Sequence, residues 1–513
     1  MAATTISDIT LDAENSAGRV IVIGGGFGGM AAALRARAMG FSVTLVERLD
    51  HLGGRAQVFE RDGFKHDAGP TVITAPFLFE ELYQLFGENL KDHLTFTPLE
   101  PWYRYYFQDG RSLDYSGNQD RMAAEISKFC PADVAGYAAL VAASRKIFDV
   151  GFTQLAHRPF INFGSMVRQI PALLRLRADR SVSGLVAKHI RHPLLRRAFS
   201  IQPLLVGGNP FTTTSIYSLI HYLERKWGVS FCMGGTGALV SSLADLMARQ
   251  GIEIVTGVDV QRIVISGNSA SGVILADGRN FPADHVICNA DPPNVYRTLL
   301  SDGGRIARRR KRLLPESMTK YSMGLYVLFF GTRRTYPEVA HHTVWLGKRF
   351  KELLADIFDR GQLSEDFSLY IHRPTATDPS FAPEGCDSFY VLCPVPNLQT
   401  DLNWPVVGED LRNRIVEALS STILPDLKSH ITSEFWMDPN DFRNDYRSHH
   451  GAGFSIAPIL RQSAWFRYHN RDPHIGNLYF VGAGTHPGAG LPGVVSSAKV
   501  VETLLREKSI ATV

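Results

Sequence analysis

Five glycines within residues 24–29, directly after an apolar run, constrain this chain more than any other stretch. Val20–Ile23 is β-branched and apolar, which suits a strand buried on both faces. The alanine-rich segment Met30–Met39 has helical propensity. Gly24-x-Gly26-x-x-Gly29 therefore stands between a strand and a helix, where a dinucleotide-binding unit needs it. Gly24 permits the tight turn, Gly26 lets backbone approach a pyrophosphate, and Gly29 lets helix and strand pack closely. The helix N-terminus presents free N–H groups and a positive dipole end to the phosphates, and Phe27 and Gly28 in the turn are counted with the cofactor-binding residues.

A glycine turn alone is weak evidence, because many α/β domains carry one. Here a second strand, Phe41–Val46, ends at Glu47, an acid suited to an adenosine ribose, with Arg48 beside it. A second glycine pair follows in His51–Arg55. Gly53 and Gly54 offer more backbone N–H groups, and Arg55 offers a guanidinium. This suits a cofactor longer than NAD and running deeper, as FAD does. The Asp67–Thr71 loop, with Gly69 and Pro70, is placed to lie near the middle of such a cofactor; an ordinary loop is the plainer alternative.

At 513 residues the chain has room for two or three domains. Its five cysteines are scattered without a CxxC, so reduced thiols in a cytoplasmic setting are expected, with no disulfide framework and no zinc site. Residues 1–18 contain no Lys or Arg, which argues against a signal or transit peptide, and no eighteen-residue apolar run exists to span a bilayer. A net charge of +4, without a recognition module, does not point to nucleic acid.

An amphipathic helix is expected over residues 76–92, and the aromatics of 102–107 read as core strand more readily than as a tunnel lining. Residues 120–231 read as mostly helical. Within them, 151–200 carry nine Lys or Arg against one acid, Asp179, interleaved with apolar residues as in Ile170–Arg177. That pattern fits a segment lying in a membrane surface, or else a solvated basic face. A second basic run spans Arg305–Arg312. A helix is expected over 238–250 and strands over 252–255, 258–265, 272–275 and 286–289. Asn289 ends the last of these. Near the C-terminus a strand, Asn477–Val481, runs into the glycine-rich turn 482–493, which contains Gly482 and Gly484. A helix over 494–507 follows, with Leu491, Pro492 and Gly493 at its start.

The chain resembles the bacterial-type phytoene desaturases, FAD-dependent carotenoid desaturases of the flavin amine oxidase-like superfamily. The blocks that carry the resemblance include IGGGFGG, LVER, LGGRA and HDAGPTVIT, then LLVGGNPF, HHTV, APEGCDSFYVLCPVP and QSAWFRYHNRD. The most specific is the closing NLYFVGAGTHPGAGLPGVVSSAK. The resemblance implies an α/β fold, α+β overall. Its parts are a two-dinucleotide, Rossmann-like FAD domain (19–75, 232–292 and 470–513), a mixed-sheet substrate domain (76–119 and 293–469), a helical, basic membrane-contact region (120–231) and a disordered tail (1–18). It implies that the backbone at Val260 meets the adenine and that the strand ending at Asn289 returns over the cofactor.

The resemblance further implies desaturation of phytoene towards neurosporene or lycopene. A hydride passes to flavin, a vicinal proton goes to a weak base, and the final electron acceptor is oxygen or quinone. The protein would sit peripherally on the cytoplasmic side of a membrane and take long apolar polyenes from it. Arg168 is the candidate for entrance or proton handling, beside its plainer reading as a head-group contact. His486 reads as a turn cap as easily as a flavin neighbour. His341 and His342 are not expected to hold a metal, because no third ligand has suitable spacing. Other readings of the same residues are a desaturase of another carotenoid, such as a hydroxylated intermediate, an amine oxidase-like flavoprotein, and a non-enzymatic lipid-binding escort protein of the same fold.

Overall fold

A computed structural model describes residues 17–160, 163–300 and 316–510. The first sheet is all parallel. Its strand order is Leu478–Phe480, His285–Cys288, Arg19–Ile23, Ser42–Val46 and Glu253–Val255. Val20–Ile23 is buried on both faces, as its uninterrupted apolar character requires. The pairing Ile287↔Tyr479 brings the last strand of the chain to within one strand of the first.

The helix Phe27–Ala38 is buried almost all round. It packs against the C-terminal helix Leu491–Ile510 and against Gly235–Arg249. Its alanines serve this crowding, since Ala31, Ala32, Ala33 and Ala36 let neighbouring backbones approach. One charged side chain, Arg35, is trapped there at 6 % exposure. It donates to Glu502 at 2.7 Å and to Glu81 at 3.2 Å.

The second sheet has seven strands in the order Ile431–Met437, Gly324–Thr332, Asp387–Val395, Leu369–His372, His342–Leu346, Tyr103–Phe107 and Ser112–Tyr115. It is mixed: only His342–Leu346 and Tyr103–Phe107 pair in parallel. Gly324–Thr332 is buried along its whole length, paired on both edges. The aromatic stripe alternates as a strand should, with Tyr103, Tyr105 and Phe107 buried in the core. A three-stranded sheet, Val260–Ser266, Ser269–Leu275 and Asn280–Pro282, flanks the first sheet.

The expected helix over 76–92 is confined to Phe77–Gln84. Gly87 takes a left-handed conformation, φ +74°, and Asn89 caps a separate short turn, so one long helix gives way to two pieces. The C-terminal helix begins at Leu491, three residues before the expected start, which places Pro492 in its first turn. Helices occupy much of 120–231, but the basic stretch is broken into Gly151–Leu155, Phe163–Val167, Ile170–Arg175, Val182–His189 and Pro193–Ala198. Among the described residues no helix is long and apolar enough to cross a membrane. The run Arg305–Arg312 and the first sixteen residues lie outside the described residues.

Arg35 has no water to fall back on if its acids are removed. Replacing Glu502 by Ala leaves that guanidinium with Glu81 alone, and replacing Arg35 by Ala takes away the buried cation shared by Glu81 and Glu502, which keep Lys499 and Arg506 as their other partners. Arg35→Ala is expected to cost on the order of 3 kcal/mol, read as a lowered thermal midpoint; an unchanged midpoint would show that the pair adds nothing.

Candidate active site

The carboxyl ends of the parallel strands open onto a cavity of about 880 Å³. This is where ligands bind in open α/β sheets. Gly24, Gly26, Phe27, Glu47, Arg48, Gly53, Gly54 and Arg55 line it from the N-terminal unit. Gly482, Gly484, Leu491, Pro492 and Gly493 line it from the far end of the chain. Gly69, Pro70, Val260 and Asn289 complete the wall.

Hydrogen bonds lock the first turn. The Gly25 N–H donates to Glu47 Oε2 at 2.7 Å, and the Leu49 N–H donates to Glu47 Oε1 at 3.0 Å. Gly53 N–H donates to the Gly25 carbonyl at 3.0 Å, which pins the second glycine turn to the first. Gly24 and Gly53, at φ +96° and +113°, occupy backbone conformations that favour glycine.

Asn289 explains the other glycines. A Cβ at Gly26, Gly28 or Gly482 would lie 2.9, 2.5 or 2.7 Å from its side-chain amide. The amide is thus wedged where the two ends of the chain meet. Gly28 and Gly29 do not line the cavity. The Gly29 requirement comes from the turn itself, for a Cβ there would sit 1.9 Å from the Gly24 carbonyl oxygen.

Arg55 is half-buried and donates to Ser448 Oγ, while its Nε, which is out of reach of solvent, has no partner among the described residues. Burial lowers its pKa, and the Asp291 carboxylate opposes that. Asp291 in turn accepts from the His449 N–H at 2.9 Å and from Ser455 Oγ. The outer end is closed by Arg447, which donates to Asp259 at 2.8 Å, and by Arg48, which donates to the Asn444 carbonyl at 2.9 Å.

The C-terminal glycine loop is held by a residue that spacing does not reveal. Arg467, 3 % exposed, donates to the Thr485 carbonyl at 2.9 Å and to the Ala483 carbonyl at 2.6 Å. His486 bonds the Leu155 carbonyl at 2.9 Å and meets the Phe160 ring edge-on, so it fastens the loop to the helical region rather than capping its own turn. Burial pushes its pKa down to about 4, and it stays neutral.

Beyond this polar end the cavity turns apolar, with Leu173, Leu204, Val206, Leu219, Val344 and Leu346 in its wall. Tyr370 faces this part, its hydroxyl between Thr71 Oγ1 at 2.5 Å and His342 Nδ1 at 2.8 Å. Arg168 is exposed and forms no part of the wall, whereas its neighbours Met166 and Leu173 do. That placement gives no support to proton handling at a reacting carbon. The reading of His341 and His342 changes. The antiparallel pairing His342↔His372 supplies a third imidazole, and nitrogens of all three lie within 4.8 Å of one another.

Glu224 is the second unforeseen residue. In the segment HYLERKW it reads as part of a solvated helix face, yet it is 0 % exposed and lines the cavity. Its Oε1 accepts from the Tyr103 hydroxyl at 3.0 Å. Burial pushes its pKa up to about 7, against the opposing Tyr103 hydrogen bond and Arg225 charge.

The folded pKa of Glu224 is above its unfolded value, so burial of the carboxylate costs nothing in acid. The cost grows as pH rises from about 4.5 to about 7 and is then constant. Glu224→Gln removes the titration but keeps an acceptor for Tyr103. The stability of this variant relative to the parent should therefore rise between pH 5 and pH 8, by up to about 3 kcal/mol. Thermal midpoints at the two pH values check this, and an equal difference at both contradicts it.

The flavin-containing amine oxidoreductase family model matches residues 27–501. The chain is 47% identical over 490 residues to a lycopene-forming phytoene desaturase of Pantoea ananas, covering 95% of this chain and 99% of that one. It is 40% identical over 496 residues to a neurosporene-forming phytoene desaturase of Rhodobacter capsulatus, covering 95% and 94%. Among solved structures, an oxidoreductase from Methanosarcina mazei is similar with a TM-score of 0.63 at 17% identity, covering 94% of this chain and 100% of that one. Putrescine oxidase with bound putrescine gives 0.62 at 14% identity, covering 97% and 99%, a likeness of fold alone. By its double-glycine cavity, its sheet order and these matches, the chain belongs to the flavin-containing amine oxidoreductase family.

Proposed function

We propose that this chain is an FAD-dependent desaturase acting on phytoene, extending its conjugation in steps towards neurosporene or lycopene. The carrying observation is one continuous cavity that is polar and glycine-lined at one end and apolar along the rest. The named activities of its relatives support the substrate, with the lycopene-forming relatives reaching 45–47% identity. FAD, when bound, supplies an oxidised isoalloxazine that accepts hydride from an allylic carbon.

The residues present fit that group. Gly24, Gly26 and Phe27 would hold the pyrophosphate at the helix N-terminus, Glu47 the ribose, and Arg48 and Val260 the adenosine end. Gly53, Gly54, Arg55, Gly69 and Pro70 would flank the middle. The buried Nε of Arg55, without a partner among the described residues, is the kind of donor that an anionic cofactor satisfies. Gly482, Gly484, Leu491, Pro492 and Gly493 would border the flavin ring. The N-terminus of the helix Leu491–Ile510 opens onto the cavity and favours negative charge there. The apolar wall excludes water from the carbon that loses hydride, where water would add to a carbocation.

Substrate this apolar resides in a bilayer, and the surface near one end of the cavity suits contact with it. Phe163, Val167, Ile170 and Leu174 are 42–63 % exposed, and Met166 and Leu173 between them line the cavity. Exposed Arg158, Arg168 and Arg175 surround the patch, as cations for anionic head groups. We read it as a peripheral docking face, with oxygen or a membrane quinone as the final electron acceptor.

Phytoene in anionic liposomes, incubated with the FAD-loaded protein, should give the absorption bands of longer polyenes. The double variant Phe163→Glu, Leu174→Glu should keep its flavin and still act on detergent-dispersed phytoene, but lose at least about ten-fold in liposomes through lost apolar burial. Unchanged phytoene with the parent protein would overturn the desaturase reading. Full activity of the double variant in liposomes would overturn the docking face.

A further inference from the structure

We propose that His341, His342 and His372 form a binding site for one imidazole-preferring first-row transition-metal ion, zinc or copper. The three rings stand one layer behind the cavity wall. His342 touches the cavity-lining Tyr370 through a hydrogen bond and Tyr103 through its ring, 5.8 Å between centroids. Ring centroids within the cluster are 4.6, 4.8 and 5.3 Å apart. The side chains are 5, 0 and 0 % exposed.

Four of the six ring nitrogens have no partner among the described residues: Nε2 of His341, Nε2 of His342, and both nitrogens of His372. Each such buried group costs about 1–3 kcal/mol, so so many in one place call for a ligand. The two bonded nitrogens are informative. His341 Nδ1 meets Thr377 Oγ1 at 2.7 Å, and His342 Nδ1 meets the Tyr370 hydroxyl at 2.8 Å. Outer hydroxyls that take one ring nitrogen and leave the other free are how proteins orient metal-binding histidines.

Arg373 lies near but is spent on Asp387 at 3.1 Å. Phe231 packs on His341 and His372, at 4.7 and 6.0 Å, and closes the cluster off. Three imidazoles without a carboxylate or thiolate suit zinc or copper and not magnesium or calcium. Bond lengths near 2.0–2.1 Å require ligand nitrogens about 3.3 Å apart, so binding draws the rings together by roughly 1–1.5 Å. The ion would clamp Leu369–His372 to His342–Leu346 and fix Tyr370 in the cavity wall.

The test uses tag-free, FAD-loaded protein stripped with a chelator and titrated with Zn²⁺, and anaerobically with Cu⁺, against a chromophoric competitor. The parent should take up about one equivalent of at least one ion, and His372→Ala should bind about 100-fold more weakly with flavin retained. Thr377→Val keeps all three rings but loses the outer hydroxyl, and should weaken binding by about ten-fold. Binding below about a tenth of an equivalent, or equal affinity in His372→Ala, overturns the site. Should His372→Ala fail to hold flavin, Thr377→Val decides, and an unchanged affinity there overturns it.

Discussion

The structure depends on parallel pairing that seats a strand from mid-chain between strands from its two ends. Ile21, Val286 and Leu478 lie side by side, from strands separated by hundreds of residues. Asn289, just after the middle strand, then fills the space left by Gly26, Gly28 and Gly482. A side chain at any of these glycines would press on that amide. The cavity is therefore an outcome of backbone approach, and the glycine turns are the places where approach is closest.

From that junction the polarity of the cavity follows. At the sheet's edge it meets backbone N–H groups, Glu47, Arg55 and a helix N-terminus, all suited to an anionic, hydrogen-bonding ligand. Away from the sheet it meets aliphatic side chains from the helical region and the seven-stranded sheet. A chain of hydrogen bonds leads from Thr71 and Tyr370 in the wall to His342 behind it. His486 ties the C-terminal glycine loop to the helical region at Leu155, and Arg467 holds the loop's own carbonyls together with that of Ile456.

What was legible in the sequence is what short-range chemistry dictates. Glycine spacing after an apolar strand specifies a turn before any long-range contact is known, and this holds at residues 24–29 and again at 482–493. Aromatic density marks residues 102–107 as core strand in the same way, and the structure buries Tyr103, Tyr105 and Phe107. Long-range pairing escapes such reading. His372 joins His342 only through the antiparallel register, thirty positions away in the chain. Glu224 and Arg467 look like solvated charges because helix and loop periodicity carry no record of what packs above them. Arg168 sits in a basic stretch where Met166 and Leu173 turn to the cavity while it and Val167 turn out.

The central claim is that the first glycine turn, closed against Asn289, cradles the flavin. Replacing Gly26 by Val puts a branched side chain where 2.9 Å separates a bare Cβ from that amide. Flavin content per chain, read from the visible absorbance of the purified variant at parental stability, tests this directly. The account predicts that Gly26→Val emerges largely without flavin; stoichiometric flavin in the folded variant would contradict it.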